Sequence, residues 1–251
     1  MPYQHGRPLI DTSLPFRLAT AWTFYTVWPI AQVVNIALHA TSYENTGKLA
    51  RVSRAILVSN HTTFLDPVLI SGATMPRRTW QTLLEKTVET PYLGTLTRLL
   101  GGVPLPRGKT GPKHLLDLCE TAFAFRRFIH FYPEGECFLY NQKIAEFKPG
   151  AFLLAGELDI PVIPLVTVLS AGRFKPRSLW GRMRPKEKLV VLDPVYPGPY
   201  IKRDEKGEIL MDSVRNYAQA VRRIMQDEID ARRGTQAFFR GRMERIKGIN
   251  G

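Results

Sequence analysis

The sequence predicts an α/β fold: a mixed, partly parallel sheet covered by helices, preceded by an N-terminal membrane-associated helical segment. Three observations carry this prediction. From residue 54 onward, short apolar runs alternate with stretches of helical periodicity, the pattern that serial βα units leave in a sequence. The 251 residues are 44% hydrophobic and only 23% charged, enough to bury one sizeable core and far from the composition of disordered chains. Residues 18–40 (LATAWTFYTVWPIAQVVNIALHA) carry no formal charge and follow Arg7 and Arg17, as a signal peptide or membrane anchor would.

That apolar segment comes first. As one helix it would reach roughly 34 Å at about 1.5 Å per residue, long enough for a hydrocarbon core of about 30 Å. Pro29 interrupts it. Thr20, Thr23 and Thr26 recur at helical spacing before the proline, and Gln32, Asn35 and His39 after it. The expectation is two short amphipathic helices bent at Pro29 and lying in one leaflet, their polar stripes toward headgroups and Trp22, Tyr25 and Trp28 at the interface. A kinked single span and a buried helical hairpin are the alternatives. The polar stretch SYENTGK within residues 41–50 marks the boundary between an N-terminal segment, 1–45, and the main domain, 46–251.

Within the main domain, residues 54–60 (RAILVSN) read as a buried strand opening into a loop at 61–65, with Asp66 and Pro67 as helix cap and first helical residue. A strand is expected over 79–84, a helix over 91–100 closed by Gly101 and Gly102, and a longer helix over 113–127. Residues 128–132 are the next strand, 151–157 a helix, and 161–169 and 189–192 strands. Val214, Tyr217, Ala218, Val221, Ile224, Met225 and Ile229 follow helical spacing across 213–233, with Asp212 as cap and Gly234 as stop.

The formal charge is +13, from 35 Lys and Arg against 22 Asp and Glu. That balance predicts attraction to polyanions, whether nucleic acid, an anionic membrane or a phosphorylated substrate, without choosing among them. Two cysteines, Cys119 and Cys137, are too few for a disulfide framework or a paired-cysteine zinc site and point to a reducing compartment. There is no G-x-S-x-G, H-E-x-x-H or G-x-G-x-x-G pattern. Residues 102–110 (GVPLPRGKT) end like a phosphate-binding loop. Val103 stands where its leading glycine belongs, however, and Pro104 and Pro106 remove backbone donors.

The positive signal starts at Asn60-His61-Thr62-Thr63-Phe64-Leu65-Asp66, a histidine at a strand end with a carboxylate five residues on. In a loop turning into a helix, Asp66 can fold back to hold one imidazole nitrogen and leave the other to take a proton, or it can simply cap the helix. Three further segments follow in order: GVPLPR at 102–107, FYPEG at 131–135 and IPVIP at 160–164, with FKPGA at 147–151 before the last. Together these resemble the glycerophospholipid acyltransferase family, the lysophosphatidic acid acyltransferase-like enzymes, whose pattern runs NHxxxxD, GxxxxR, FPEGT-R/S and VPVxP. The resemblance covers about residues 54–170.

The resemblance implies direct transfer of an acyl group from a thioester, acyl-CoA or acyl carrier protein, to a lysophospholipid hydroxyl, with lysophosphatidic acid as the leading acceptor. His61 would be the general base and Asp66 its orienting partner. Arg107 would clamp the acceptor phosphate, Glu134 and Gly135 would shape the acceptor site, and Lys148 would be a second phosphate contact, or else part of a solvated face. Pro161 and Pro164 would fix a strand near an acyl tunnel. No resident cofactor or metal is implied, and no nucleic-acid partner. Anionic membrane lipids would be met by the basic runs at 173–188 and 232–247, and the expected location is the cell membrane, peripheral or monotopic on its cytoplasmic face. In one respect the chain departs from the pattern: Glu136 and Cys137 follow Gly135 where a hydroxyl residue and often a cation belong. That substitution allows a different acceptor, such as one with an amine for Glu136 to pair with. A lipid hydrolase, a transacylase and an inactive lipid-binding homologue are the other readings the residues admit.

Overall fold

The computed structural model describes residues 9–89, 92–105, 112–171 and 184–244. A seven-stranded sheet in the order β1-β7-β6-β2-β5-β3-β4 forms its centre, built from β1 (Ser42–Glu44), β2 (Ala55–Ser59), β3 (Trp80–Leu84), β4 (Gly102–Leu105), β5 (Phe128–Phe131), β6 (Val162–Ser170) and β7 (Lys186–Val191). All neighbouring pairs are parallel except β6 with β7. The helices are α1 (Leu14–His39), α2 (Asp66–Thr74), α3 (Glu85–Glu89), α4 (Leu93–Leu99), α5 (Pro112–Phe123), α6 (Gly150–Glu157) and α7 (Met211–Ala231).

Strand β2 shows why its sequence is apolar up to its last residue, Ser59. Ile56 and Val58 pack among Phe152 of α6 and Tyr217 and Val221 of α7, whereas Ala55 and Leu57 pack against Leu69 and Ile70 of α2. Side chains alternate between faces, and with helices on both faces neither set can be polar. The expected mixed α/β sheet is therefore present, and its central strands lie close to their expected limits.

The sheet's two edges were not expected. β1 is three polar residues, and β4 contains Pro104, which an edge strand tolerates because one side of its backbone needs no partner. β7 begins three residues early, because Lys186, Glu187 and Lys188 complete the ladder with β6. The helix expected at 91–100 is α4, shorter than expected, and α3, directly after β3, was not expected. Asp66 and Asp212 each lie inside their helices, one or more residues after the caps Leu65 and Leu210. The expected division after residue 45 falls one residue beyond β1, whose residues pair with Lys188–Val190 of β7.

The N-terminal segment differs more. It is one continuous helix, not two, and Pro29 lies inside it. Among the described residues no helix is long and apolar enough to cross a membrane, which removes the single-span alternative for α1. The polar stripe does not face headgroups but points into the protein. Thr20, Thr23, Gln32, Asn35 and His39 are buried, and Gln32 Nε2 donates to the Tyr43 hydroxyl at 2.7 Å. Thr26 is exposed. Leu14, Leu18, Trp22, Ile30, Val33 and Ile36 are exposed, Trp22 to 73%. Trp28 turns inward to donate to the Val68 carbonyl at 3.3 Å, and Tyr25 donates to that of Pro76 at 2.8 Å. These bonds tie α1 to α2, to the turn after it and to β1.

Candidate active site

At the C-terminal end of β2 the chain leaves the sheet under control. The Asn60 side chain accepts from Thr167 N at 2.9 Å and donates to Thr167 O at 3.1 Å, fixing the strand end to β6. The turn that follows closes on Asp66, which is 1% exposed. Its Oδ2 accepts from His61 Nδ1 at 2.8 Å, Thr62 N at 2.6 Å and Thr63 N at 3.0 Å. Oδ1 accepts from the hydroxyls of Thr62 at 3.2 Å and Thr63 at 2.9 Å. Five donors converge on one carboxylate, which spends itself on the preceding loop and not on capping α2. Because Asp66 accepts, His61 Nδ1 carries the proton and the lone pair is on Nε2.

His61 is also held through its backbone. Its N–H donates to Glu134 Oε1 at 2.9 Å, and its carbonyl accepts from Phe138 N at 3.0 Å. Glu134 Oε2 accepts from Ala145 N at 2.9 Å. Glu134 is 6% exposed, and burial raises its carboxyl above the usual range against the pull of these two bonds. Its place is thus under the His61 loop, tying two loops together; neither oxygen is turned to a ligand by these contacts.

Gly135 has φ of +72°, and a Cβ there would stand 2.3 Å from Lys148 Nζ. The positive φ favours glycine, and the group passing close is the flexible end of the Lys148 side chain. Lys148 is exposed and its N–H donates to the Pro133 carbonyl at 2.8 Å, so its ammonium lies over the motif loop. Arg107 lies outside the described residues, as does most of the basic run at 173–188. In the second basic run, Arg232 pairs with Glu44 and Glu228 inside the fold. Pro161 and Pro164 belong to the β6 region and are not among the residues lining the cavity described next.

A cavity of about 430 Å³ opens beside His61, within the roughly 300–1,000 Å³ usual for ligand sites. His61, Tyr132, Gly135, Glu136 and Cys137 line one part of it. Phe24 and Trp28 of α1, Val68 of α2, Leu83, Leu96 and Leu105 supply apolar walls elsewhere. Cys137 is a buried thiol whose pKa is raised, first by burial and then by Asp66 and Glu134, so it stays protonated.

The structure thus brings the sequence-predicted His61, Asp66, Glu134 and Gly135 into one loop cluster, with Lys148 beside it. The sequence did not single out the Thr62 and Thr63 hydroxyls, Asn60, or Tyr132. Two hydroxyl residues between a histidine and its aspartate were a readable signal, since a buried carboxylate needs donors. Nothing in FYPEG shows that Tyr132 stacks on the His61 ring, as it does with ring centroids 3.8 Å apart and planes 17° from parallel.

A family model described as Acyltransferase matches residues 40–168. The chain is 25% identical over 167 residues to a chloroplastic 1-acyl-sn-glycerol-3-phosphate acyltransferase of Brassica napus, covering 64% of this chain and 44% of that one. It is 26% identical over 181 residues to a 1-acyl-sn-glycerol-3-phosphate acyltransferase of Haemophilus influenzae, covering 71% and 70%. The chain thus spans about half the length of the plant relative. The crystal structure of the 1-acyl-sn-glycerophosphate acyltransferase PlsC from Thermotoga maritima superposes with a TM-score of 0.61 at 18% identity, over 90% of this chain and 86% of the other. At that identity the likeness speaks for the fold.

Proposed function

The chain belongs to the Acyltransferase family, whose model covers residues 40–168, and on that premise we propose that it transfers a fatty acyl group from a thioester to the free hydroxyl of a lysophospholipid, lysophosphatidic acid in the first place. The observation that carries this reading is the His61–Asp66 pair, 2.8 Å apart, at a cavity with largely apolar walls.

In the reaction, the acceptor hydroxyl gives its proton to His61 Nε2 while its oxygen attacks the thioester carbonyl. The tetrahedral intermediate collapses, the C–S bond breaks, and the leaving thiolate takes the proton back from the imidazolium. Asp66 stabilises that imidazolium through Nδ1. No acyl-enzyme forms, and the protonated Cys137 is no nucleophile. Coenzyme A or acyl carrier protein leaves as the free thiol; no step is assigned to a metal or a resident cofactor. Arg107, from its motif, and Lys148, from its position over Gly135, would hold the acceptor phosphate.

The apolar outer face of α1 supports membrane association. A helix whose polar residues are buried and whose Leu18, Trp22, Ile30 and Val33 are exposed suits the plane of one leaflet, on the cytoplasmic face where acyl thioesters are made. Glu136 lines the same cavity as His61, which supports an amine-bearing lysolipid as the second acceptor reading.

Mass spectrometry of the lipids formed from a mixed lysolipid pool with acyl-CoA and acyl carrier protein donors tests all of this together. Phosphatidic acid as the main product, lost with His61→Ala by about 10²- to 10⁴-fold, is the expected result. An amine-bearing product in excess would reverse the order of acceptors, and acceptor-independent thioester loss would replace transfer by hydrolysis.

A further inference from the structure

We propose that Tyr132 is the positioning residue of the His61 base: it fixes the imidazole plane and favours the cationic form that the ring takes in the reaction. This rests on the reading of His61 above and deepens it.

Tyr132 follows β5 directly, and β5 runs parallel to β2 with Val58 opposite Phe131. The two strands therefore deliver Tyr132 and the loop of His61 to the same end of the sheet. The rings lie face to face, 3.8 Å between centroids and 17° between planes. Behind Tyr132 stands His130, edge-on at 4.4 Å and 83°, wholly buried and bonded through Nε2 to the Ser59 hydroxyl at 2.9 Å. Burial pushes the His130 ring down to about 3, so it is a neutral backstop that does not compete for the proton.

The geometry does something the Asp66 bond cannot. A hydrogen bond at Nδ1 fixes one edge of the imidazole, and the ring can still swing about that edge, which would sweep Nε2 out of line with an attacking hydroxyl. An aromatic ring flat against one face removes that swing. The same face carries the negative part of an aromatic quadrupole, so it attracts the ring most when the ring has accepted its proton. The Tyr132 hydroxyl is buried and has no hydrogen-bond partner among the described residues. The ring, not the hydroxyl, is what the site uses.

Tyr132→Phe keeps the ring and Tyr132→Leu removes it. For Tyr132→Leu, kcat should fall roughly 2- to 30-fold with KM for both substrates within about twofold. The acid limb of the kcat/KM profile should move to lower pH, since the protonated base is less favoured. Tyr132→Phe should restore both. Pentafluorophenylalanine installed at position 132 keeps the shape and weakens the π face. It should move the acid limb in the same direction as leucine does, and it gives the answer should the leucine variant not fold. The proposal falls if the leucine and pentafluoro variants keep the wild-type profile, or if Tyr132→Phe loses as much as Tyr132→Leu. His61→Ala separates the two levels: if it keeps full activity, the general-base reading is what fails, whereas a silent Tyr132→Leu beside a dead His61→Ala refutes only the stack.

Discussion

Replacing Asp66 by asparagine removes the charge at the centre of the site while keeping its shape. Oδ2 takes three N–H donors and Oδ1 takes two hydroxyls. With the amide oxygen in the Oδ2 place, the new NH2 group faces Thr62 and Thr63 Oγ1, which can rotate to accept. The loop thus stays satisfied, and the loss is that all five charge-assisted bonds become neutral ones. A bond to a charged group contributes about 1.5–3 kcal/mol against about 0.5–1.5 for a neutral pair, so five such changes cost about 5 kcal/mol of stability. Turnover suffers separately. The imidazolium proposed at His61 loses the carboxylate bonded to its Nδ1, and kcat should drop about 10²- to 10³-fold, or about 3–4 kcal/mol at 1.4 kcal/mol per decade. Thermal denaturation and steady-state acyl transfer, measured on the same Asp66→Asn preparation, give both numbers. A folded variant with kcat within threefold of wild type would refute the role given to Asp66. A variant that does not fold at all would refute the claim that the two threonine hydroxyls can reverse their bonds.

Thr63→Val removes the 2.9 Å bond to Asp66 Oδ1 and the acceptor of the Leu65 N–H at 3.2 Å and leaves the threonine's shape; a loss of about 2 kcal/mol in melting experiments and a few-fold drop in kcat are expected. Burial lowers the His39 ring from 6.5 to about 4. The folded state therefore binds fewer protons than the unfolded one, and stability present above pH 6.5 should be lost as pH falls through 6.5 to 4. Melting curves across that range should show a fall that His39→Gln flattens. Glu187 has the opposite sign: burial raises it well above 4.5, and neither of its oxygens has a hydrogen-bond partner among the described residues. Its folded-state contribution is greatest below about pH 4.5 and is lost as pH rises, so Glu187→Gln should raise Tm more at pH 8 than at pH 5. On α1, Trp22→Glu with Val33→Glu should weaken binding to anionic vesicles in flotation assays while Tm stays within a few degrees, since both side chains are exposed. Unchanged flotation would remove α1 as the membrane contact.

The sequence alone determined the strands whose both faces are buried, because burial on two sides forces a near-continuous apolar run, as in residues 55–58 and 162–166. It also showed that Asp66 is within reach of His61 across four loop residues, leaving the choice between that contact and a helix cap to the structure, and that α7 carries an apolar stripe. Edge strands escaped it: β1 and β4 owe their state to a neighbour's backbone, not to their own residues. The direction of α1 escaped it too, because helical periodicity shows that one face is polar without saying which face meets protein; only the burial of Asn35 and His39 and the bond from buried Gln32 to Tyr43 decide that. Contacts between distant segments were decided by tertiary structure throughout. Glu134 lies under the backbone of His61 across 73 residues, and Tyr132 lies against its ring, because parallel strands β2 and β5 end side by side. No local pattern encodes that adjacency; it exists only once the sheet is assembled.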